Sequence, residues 1–225
     1  MKKLKRVGCY ILKIYNKIKN KEINIFILSL SVLKYLLINK KIIVSTKTII
    51  TNKKNIILNK GSELRIGTND FNIATTHDYT IINISPNGKL YINGRVVLGR
   101  GTRISIGNNA EIHIGNNTYI TGLSKLICHK KIIIGNNCAI SWNVQIMDTD
   151  FHSIIENGVK KINCKPIIIG DNVWIGSNVS ILKGVNIGSN SVIAANSVVT
   201  RDVPAGCLAA GNPAKVVKSN ISWEI

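Results

Sequence analysis

Residues 169–203 read IGDNVWIGSNVSILKGVNIGSNSVIAANSVVTRDV, and an aliphatic residue returns at every sixth position of this stretch. A second set, small or β-branched, follows four places after each of the first. A period of six fits no helix, but it fits a short strand followed by a corner, because side chains alternate faces along a strand. Gly and Asn fill the corners, and both tolerate the positive φ angles of a sharp bend. The stretch predicts a parallel β-helix whose stacked coils share one aliphatic core. The aliphatic positions are Ile169, Ile175, Ile181, Ile187, Ile193 and Val199.

The same pattern extends, less strictly, toward the N-terminus. Between Leu64 and Ile134 the aliphatic residues occur as pairs one residue apart, and some coils carry two extra residues. Such an insertion lengthens a strand without changing its inward alternation. Regular spacing then stops after Ile146, and residues 147–166 fit no hexad. An irregular excursion from a regular solenoid is where function concentrates, so we expect the chemistry in this insert.

Composition fits a solenoid with a basic appendage. At 225 residues, with 45% hydrophobic but only 5% aromatic content, the chain suits one domain with a core of stacked Ile and Val. The formal net charge of +19 would suggest nucleic-acid binding, but residues 1–60 carry +14 of it and the remainder only +5. We therefore expect no nucleic-acid partner.

The five cysteines form an odd set without a CxxC pair. This pattern predicts neither a disulfide framework nor a zinc site, and a reducing cytoplasm is the simpler location. We expect no bound metal.

Residues 1–40 are predicted to form a basic helical segment. Aliphatic residues from Leu4 to Ile18 lie three and four apart between lysines, which is the pattern of an amphipathic helix with a cationic face. The following run, 23–38, is apolar but includes Lys34 and is too short to cross a hydrocarbon layer of roughly 30 Å, so no membrane span is predicted. The run also lacks a small-residue cleavage site, so no signal peptide is predicted either. Two interpretations are open. The helices cover the open end of the β-helix, or they rest on anionic lipid at the inner face of the cytoplasmic membrane.

Several motifs within residues 134–218 together resemble one family. They are IGNN at 134–137, DTDFH at 148–152, NVWIGS at 172–177, ILKGV at 181–185, SVVTRDVP at 197–204 and AGNPAK at 210–215. In this order and spacing they are similar to the hexapeptide-repeat acyltransferases, specifically the sugar and polysaccharide O-acetyltransferase branch that includes maltose and galactoside acetyltransferases.

The resemblance implies an all-β fold, a left-handed parallel β-helix over residues 41–218, followed by a tail at 219–225. It also implies a homotrimer, with acetyl-CoA as the acyl donor.

The same resemblance places a catalytic base in the insert, at His152, just after Asp148 and Asp150. An alcohol needs a base with a pKa near neutrality to attack a thioester, imidazole supplies it, and a carboxylate can hold the correct tautomer. The resemblance also assigns the backbone N–H of Ser177 to the oxyanion that develops on the thioester carbonyl. For an isolated histidine the alternative is a solvated loop residue.

Trp174 is expected to point outward, because Val173 and Ile175 take the inward positions. An outward Trp lies against a ligand or in a subunit interface, and the family uses the matching Trp to line the acceptor and thioester site. Asn143 matches a family asparagine, although its position at a coil corner gives it a structural explanation as well.

Ala194 and Ala195 present small side chains, so an extended pantetheine arm could lie close to their backbone. The resemblance implies further contacts to coenzyme A, and cationic groups suit its phosphates. The alternative is a tight hexad with solvated lysines. The residues implied are Ala195, Thr200, Arg201 and Lys218, with Lys215 close in sequence.

One stretch departs from the family. Maltose and galactoside acetyltransferases carry an acceptor-binding asparagine about one coil before the IGNN motif, whereas this chain reads TGLSK at 121–125. The leading hypothesis is therefore O-acetylation of a cell-surface polysaccharide or of its lipid-linked precursor, and the alternative is N-acetylation of an amino-sugar nucleotide.

Two further readings use the same coils. Zinc hydration chemistry of the γ-carbonic anhydrase type would need three converging histidines including a close pair, which His113, His129 and His152 do not supply. A purely structural or nucleic-acid-binding solenoid would need no histidine at all.

Overall fold

The computed structural model describes residues 42–68, 74–75 and 77–224, which wind into a prism with three parallel β-sheets as its sides. Each turn of the chain adds one strand to each side, so neighbouring strands in a sheet come from successive coils. We call the three sides faces A, B and C, in the order in which the chain visits them.

Face A contains β1 (Ile42–Val44), β4 (Glu63–Thr68), β7 (Arg95–Gly99), β10 (Thr118–Ile120), β13 (Ala139–Ile140), β18 (Trp174–Ile175), β21 (Val192–Ile193), β23 (Cys207–Gly211) and the antiparallel β24 (Ala214–Ser219). Face B contains β2 (Thr48–Ile50), β5 (Thr80–Ile84), β8 (Arg103–Ile106), β11 (Lys125–Cys128), β14 (Gln145–Met147), β19 (Ser180–Ile181) and β22 (Val198–Val199). Face C contains β3 (Ile56–Leu58), β6 (Lys89–Ile92), β9 (Glu111–Ile114), β12 (Lys131–Ile134), β17 (Ile167–Ile169) and β20 (Asn186–Ile187). A 3₁₀ turn covers Lys53–Asn55.

The interior of the prism is aliphatic, as the repeat predicts. The hexad positions from Ile169 to Val199 are at most 2% exposed, and the second set, from Val173 to Val203, is at most 5% exposed. In the longer coils both members of a pair point inward, since Ile104 and Ile106 are each 1% exposed. Burying one such side chain contributes about 1.5–3 kcal/mol, so the stacked rungs hold the prism together.

Asparagines turn the corner between faces A and B, which we call the A–B corner. Asn143, Asn178 and Asn196 stand at the same place in three successive coils with φ of 55°, 59° and 61°. Their side-chain amides form a ladder, because Asn143 Nδ2 donates to Asn178 Oδ1 at 2.8 Å and Asn178 Nδ2 donates to Asn196 Oδ1 at 3.1 Å. The observed contacts of Asn143 are therefore those of a structural corner residue.

The chain leaves the prism between β14 and β17, at the corner between faces B and C, which we call the B–C corner. This insert carries a short antiparallel hairpin of β15 (Ile155–Glu156) and β16 (Val159–Lys160). Its large apolar side chains are exposed, with Ile154 at 64% and Ile155 at 71%.

The prediction of a parallel β-helix is confirmed. The helical segment predicted for residues 1–40 lies outside the described residues. In the part of the chain that the structure describes, no helix has the length and apolarity needed to cross a membrane.

Candidate active site

The insert begins with a buried carboxylate. Asp148 is 0% exposed, and its two oxygens accept hydrogen bonds from three consecutive backbone N–H groups, those of His129 (2.7 Å), Lys130 (2.8 Å) and Lys131 (2.7 Å). The sulfur of Cys128 lies 3.4 Å from Asp148 Oδ2. Burial raises the pKa of the Cys128 thiol, and the adjacent carboxylate raises it further.

These contacts do not bring the Asp148 carboxylate to His152, beside which the sequence predicts it to act. Its carboxylate is enclosed and already accepts three hydrogen bonds, whereas His152 is exposed. Asp148 ties the start of the insert to the preceding coil, which is a structural role.

A tight turn presents His152. The N–H of Asp150 donates to the carbonyl of Asn163 at 2.9 Å, and the N–H of His152 donates back to the carbonyl of Asp150 at 2.6 Å. Between them, Phe151 has a φ of 59°, in the left-handed region that non-glycine residues rarely adopt. Its N–H donates to Thr149 Oγ1 at 2.9 Å. The result is a constrained turn with an exposed imidazole, and strain of this kind clusters at functional sites.

The carboxylate of Asp150 also has a partner other than His152. It pairs with the ammonium of Lys183, which lies on the next coil between β19 and β20. Within the described residues neither Asp148 nor Asp150 forms a side-chain hydrogen bond with the His152 imidazole. Asp150 therefore holds the turn, and the prediction that an aspartate orients the imidazole tautomer finds no support in the geometry.

A second group of predicted residues lies at the A–B corner. Ser177 and Ala195 occupy the same corner position in successive coils, because β18 and β21 stack in register, and Trp142, which was not predicted, takes this position in the coil before them. Backbone hydrogen bonds join neighbouring coils around this position. The N–H of Gly176 donates to the carbonyl of Ile193 at 2.8 Å, and the N–H of Asn196 donates to the carbonyl of Ser177 at 2.9 Å.

The N–H groups of Ser177 and Ala195 differ from those of Gly176 and Asn196, because among the described residues neither of them donates a hydrogen bond. Two such N–H groups, one coil apart and at an exposed corner, can donate hydrogen bonds to the oxygen atoms of a bound ligand.

Gly176 keeps this corner open. A Cβ at Gly176 would lie 2.6 Å from the backbone nitrogen of Ala195, closer than real Cβ atoms approach. Only glycine therefore allows the two coils to stack here with the Ala195 backbone accessible.

Trp174 points outward from face A and is 44% exposed, next to Ala139 and Val192 in the register. The C-terminal tail folds back against it: the rings of Trp174 and Trp223 are 6.0 Å apart, and Trp223 Nε1 donates to the Asn172 carbonyl at 2.8 Å.

Sequence reasoning missed two tryptophans, Trp142 at the A–B corner and Trp223 beside Trp174 on face A. The only signal for Trp223 was a lone aromatic residue in a polar tail, and for Trp142 it was the SWN triplet at 141–143, which aligns with the corner GSN at 176–178.

The predicted coenzyme A residues divide between two places. Lys215 and Lys218 lie on β24, paired with Ala210 and Leu208, and a bulge in this pairing leaves both lysines on the outer side of face A. Ala194 and Ala195 lie at the A–B corner. Thr200 and Arg201 instead follow β22, at the B–C corner, and are exposed.

The structure thus gathers the predicted residues into two groups at opposite edges of face B. The A–B corner and face A carry Asn143, Trp174, Ser177, Ala194, Ala195, Lys215 and Lys218, and the B–C corner carries Asp148, Asp150, His152, Thr200 and Arg201.

The remaining histidines do not add to either group as metal ligands. The ring of His113 stacks on Tyr91 at 4.4 Å within face C, and His129 packs edge-on against Phe151 at 5.0 Å. In the described ranges, His, Cys, Asp and Glu side chains form no group of three that could hold a metal ion.

Comparisons with known proteins agree with this architecture. A family model described as the hexapeptide repeat of succinyl-transferase matches residues 166–201. An uncharacterised 24.8 kDa protein in the cps region of Klebsiella pneumoniae is 37% identical over 211 residues, 93% of each chain. The chain spans less than half the length of other curated relatives that match its repeat segment.

Two solved structures share the fold. The polysialic acid-specific acetyltransferase NeuO is 29% identical, with a TM-score of 0.55 over 83% of this chain and 90% of that one. A hexapeptide-repeat acetyltransferase from Vibrio cholerae is 33% identical, with a TM-score of 0.50 over 57% of this chain and 72% of that one. The chain belongs to the hexapeptide-repeat acyltransferases and has their left-handed parallel β-helix fold.

Proposed function

We propose that the protein transfers the acetyl group of acetyl-CoA to a hydroxyl of a cell-surface polysaccharide or of its lipid-linked precursor. The observation that carries the proposal is that one chain presents both an exposed imidazole on a strained turn and, at another accessible corner, two backbone N–H groups without a hydrogen bond among the described residues. An imidazole can remove the proton of an alcohol, and free N–H groups can stabilise an oxyanion.

The two groups of residues complete one site only when two copies of the chain meet. Contacts to His129 and Lys183 hold the His152 turn at the B–C corner, across face B from Ser177. A second copy packed alongside would set its A–B corner against the His152 turn of the first. The smallest closed ring of such heterologous contacts between identical chains is a homotrimer, which is the assembly we propose.

In the proposed reaction, Nε2 or Nδ1 of His152 accepts the proton of the acceptor hydroxyl while that oxygen attacks the thioester carbonyl carbon. The N–H of Ser177 donates to the resulting oxyanion, which stabilises the transition state by about 3 kcal/mol in comparable sites. The imidazolium then returns its proton to the thiolate of coenzyme A as the C–S bond breaks. Both catalytic groups return to their starting state.

Recognition of the acyl donor would fall to the residues around the A–B corner. The small side chains of Ala194 and Ala195 leave room for the pantetheine arm, and the exposed ammonium groups of Lys215 and Lys218 would favour its phosphates. Thr200 and Arg201, at the other corner, would reach the same ligand only from the neighbouring copy.

A glycan acceptor is supported by the relatives. NeuO, whose name states its specificity for polysialic acid, matches most of this chain. Trp174 and Trp142, each 44% exposed, offer flat apolar surfaces of the kind that pack against sugar rings. We place the reaction in the cytoplasm, where the basic residues 1–40 would contact the anionic membrane that carries a lipid-linked acceptor.

The test measures release of coenzyme A thiol from acetyl-CoA by the full chain, with polysialic acid, dextran and a 4-aminosugar nucleotide as probes. We expect turnover with a hydroxyl acceptor, an acetyl ester in the product by mass spectrometry, and a loss of about 10²–10⁴-fold in His152→Ala. The exposed His77→Ala is the matched control and should keep wild-type activity. Turnover with the amino acceptor alone would replace O-transfer by N-transfer.

A further inference from the structure

Lys183 lies on the prism but contacts the insert. Its ammonium pairs with the carboxylate of Asp150 and donates to the carbonyl of Ile162 at 3.1 Å. The lysine is fixed between β19 and β20, and its side chain is only 22% exposed. One partly buried cation therefore connects two points of the insert to the rigid coil that follows.

The two points lie on either side of His152 along the chain. Asp150 precedes His152 and begins the turn, and its carbonyl accepts the His152 N–H. Ile162 follows His152, on the returning limb, the part of the insert that leads back to the prism. The limbs meet where the N–H of Asp150 donates to the carbonyl of Asn163 at 2.9 Å. Lys183 thus clamps the outgoing and returning limbs at the base of the turn.

The insert has few other anchors beyond this point. The hairpin side chains Ile155 and Val159 are 71% and 61% exposed, and the ion pair of Lys161 with Glu156 joins residues of the insert to each other. The remaining ring contact to the prism is that of Phe151 with His129, at a centroid distance of 5.0 Å. The hydrogen bonds within the turn keep its local shape, but they join parts of the insert to each other, so without the clamp the turn could shift as a unit relative to the coil.

We propose that Lys183 is a positioning residue that fixes the His152 turn for proton abstraction. This inference rests on the proposed function, in which His152 is the base. Since a displacement of about 1 Å at a reacting group costs on the order of 10²-fold in rate, loss of the clamp should act on turnover and not on binding of acetyl-CoA at the other corner.

The experiment compares Lys183→Met and Lys183→Arg with wild type, and Lys160→Met is the matched control because it removes the same charge from an exposed hairpin position. Amide hydrogen exchange in Lys183→Met should rise by about tenfold or more across residues 150–163 and stay unchanged in the coil strands. Lys183→Arg should restore much of the protection from hydrogen exchange, because a guanidinium can donate both to the Asp150 carboxylate and to the Ile162 carbonyl oxygen.

With the best acceptor found above, kcat of Lys183→Met should fall by about 10- to 100-fold while KM for acetyl-CoA stays within about twofold. Exchange or kcat of Lys183→Met equal to that of Lys160→Met would overturn the inference. If wild type turns over no acceptor, the proposed function fails, and the exchange measurement alone then decides whether Lys183 holds the turn.

Discussion

Three successive N–H groups, at residues 129–131, converge on one carboxylate where the chain turns the B–C corner. N–H groups that point away from water need acceptors, and here the next coil cannot supply them, because the insert interrupts it. Asp148 provides the missing acceptors from the first residue of the insert. The side chain of Asp148 therefore stabilises the insert at the point where the chain leaves the repeat.

Replacing Asp148 by Asn should destabilise the protein. The amide keeps one acceptor oxygen but turns an NH2 group toward N–H donors, so at least one donor that faces this buried side chain loses its partner and all lose charge assistance. We expect a loss of about 2–4 kcal/mol, measured as a lower unfolding temperature.

Asp202→Asn is the control for this change. Asp202 also accepts a backbone N–H, that of Asn186 at 2.8 Å, but it is exposed, so water can replace the contact and the expected loss is under about 1 kcal/mol. Equal effects of the two substitutions would contradict the structural role assigned to Asp148.

For single residues, the sequence predicts whether a side chain is buried or exposed better than it predicts which residue that side chain contacts. The hexad period assigns Ile175 to the core and Trp174 to the outside without any knowledge of neighbours, and both assignments agree with the observed burial. The partner of Asp150 is Lys183, 33 residues later. No local pattern identifies that pair, because the insert changes which residues of successive coils lie beside one another.

Among the secondary-structure elements, the six-residue period of the sequence predicts the strands of the coils but not the C-terminal hairpin of β23 and β24. A repeat specifies parallel stacking because each coil offers the same inward rung to the next. After β23 the chain reverses into the antiparallel β24, and the tail then brings Trp223 to Trp174. A single reversal has no period, so the AGNPAK motif at 210–215 indicated a ligand contact but not the strand that carries it.

The corner glycine at 176 gives a prediction at the scale of two stacked coils. In Gly176→Ala the new Cβ would meet the Ala195 backbone nitrogen at 2.6 Å, and inter-coil hydrogen bonds from the N–H groups of Gly176 and of Asn196, the residue after Ala195, keep the two coils from moving apart. We expect a loss of about 1–3 kcal/mol in stability and, in the proposed enzyme, weaker binding of acetyl-CoA because the Ala195 N–H is covered. Thermal unfolding and KM for acetyl-CoA measure the two effects.

Gly107→Ala is the matched control, since Gly107 is also a corner glycine directly after a strand, in its case β8 of face B, but its added Cβ would have no neighbour closer than 3.5 Å. That substitution should leave stability within about 0.5 kcal/mol of wild type or raise it slightly, because alanine restricts the unfolded chain. A comparable loss in both variants would show that close packing at Ala195 is not the cause.

For the whole molecule, the three faces decide which residues can meet. The His152 turn and the Ser177 corner lie along opposite edges of face B, and the linear motifs gave no sign of this separation. Sequence spacing placed all the candidate residues within one domain, but only the prism shows which corner each residue occupies. The proposed site consequently depends on assembly, which single-chain reasoning could not supply.

Mixing two inactive variants tests this dependence. His152→Ala lacks the base but keeps an intact A–B corner, whereas Ala195→Trp fills the corner but keeps the base. If the site forms between copies, a 1:1 mixture refolded together contains interfaces that join the intact corner of one variant to the His152 of the other. Random assembly makes such interfaces about one quarter of the total, so activity should recover to about 25% of wild type.

The same proteins mixed after folding, without exchange of chains, provide the control and should stay at the level of the separate variants. Recovery should also depend on the mixing ratio, with a maximum at equal amounts, because each working interface needs one chain of each kind. A site contained within one chain predicts a different result: every copy in the mixture then carries its own defect, and refolding together restores nothing.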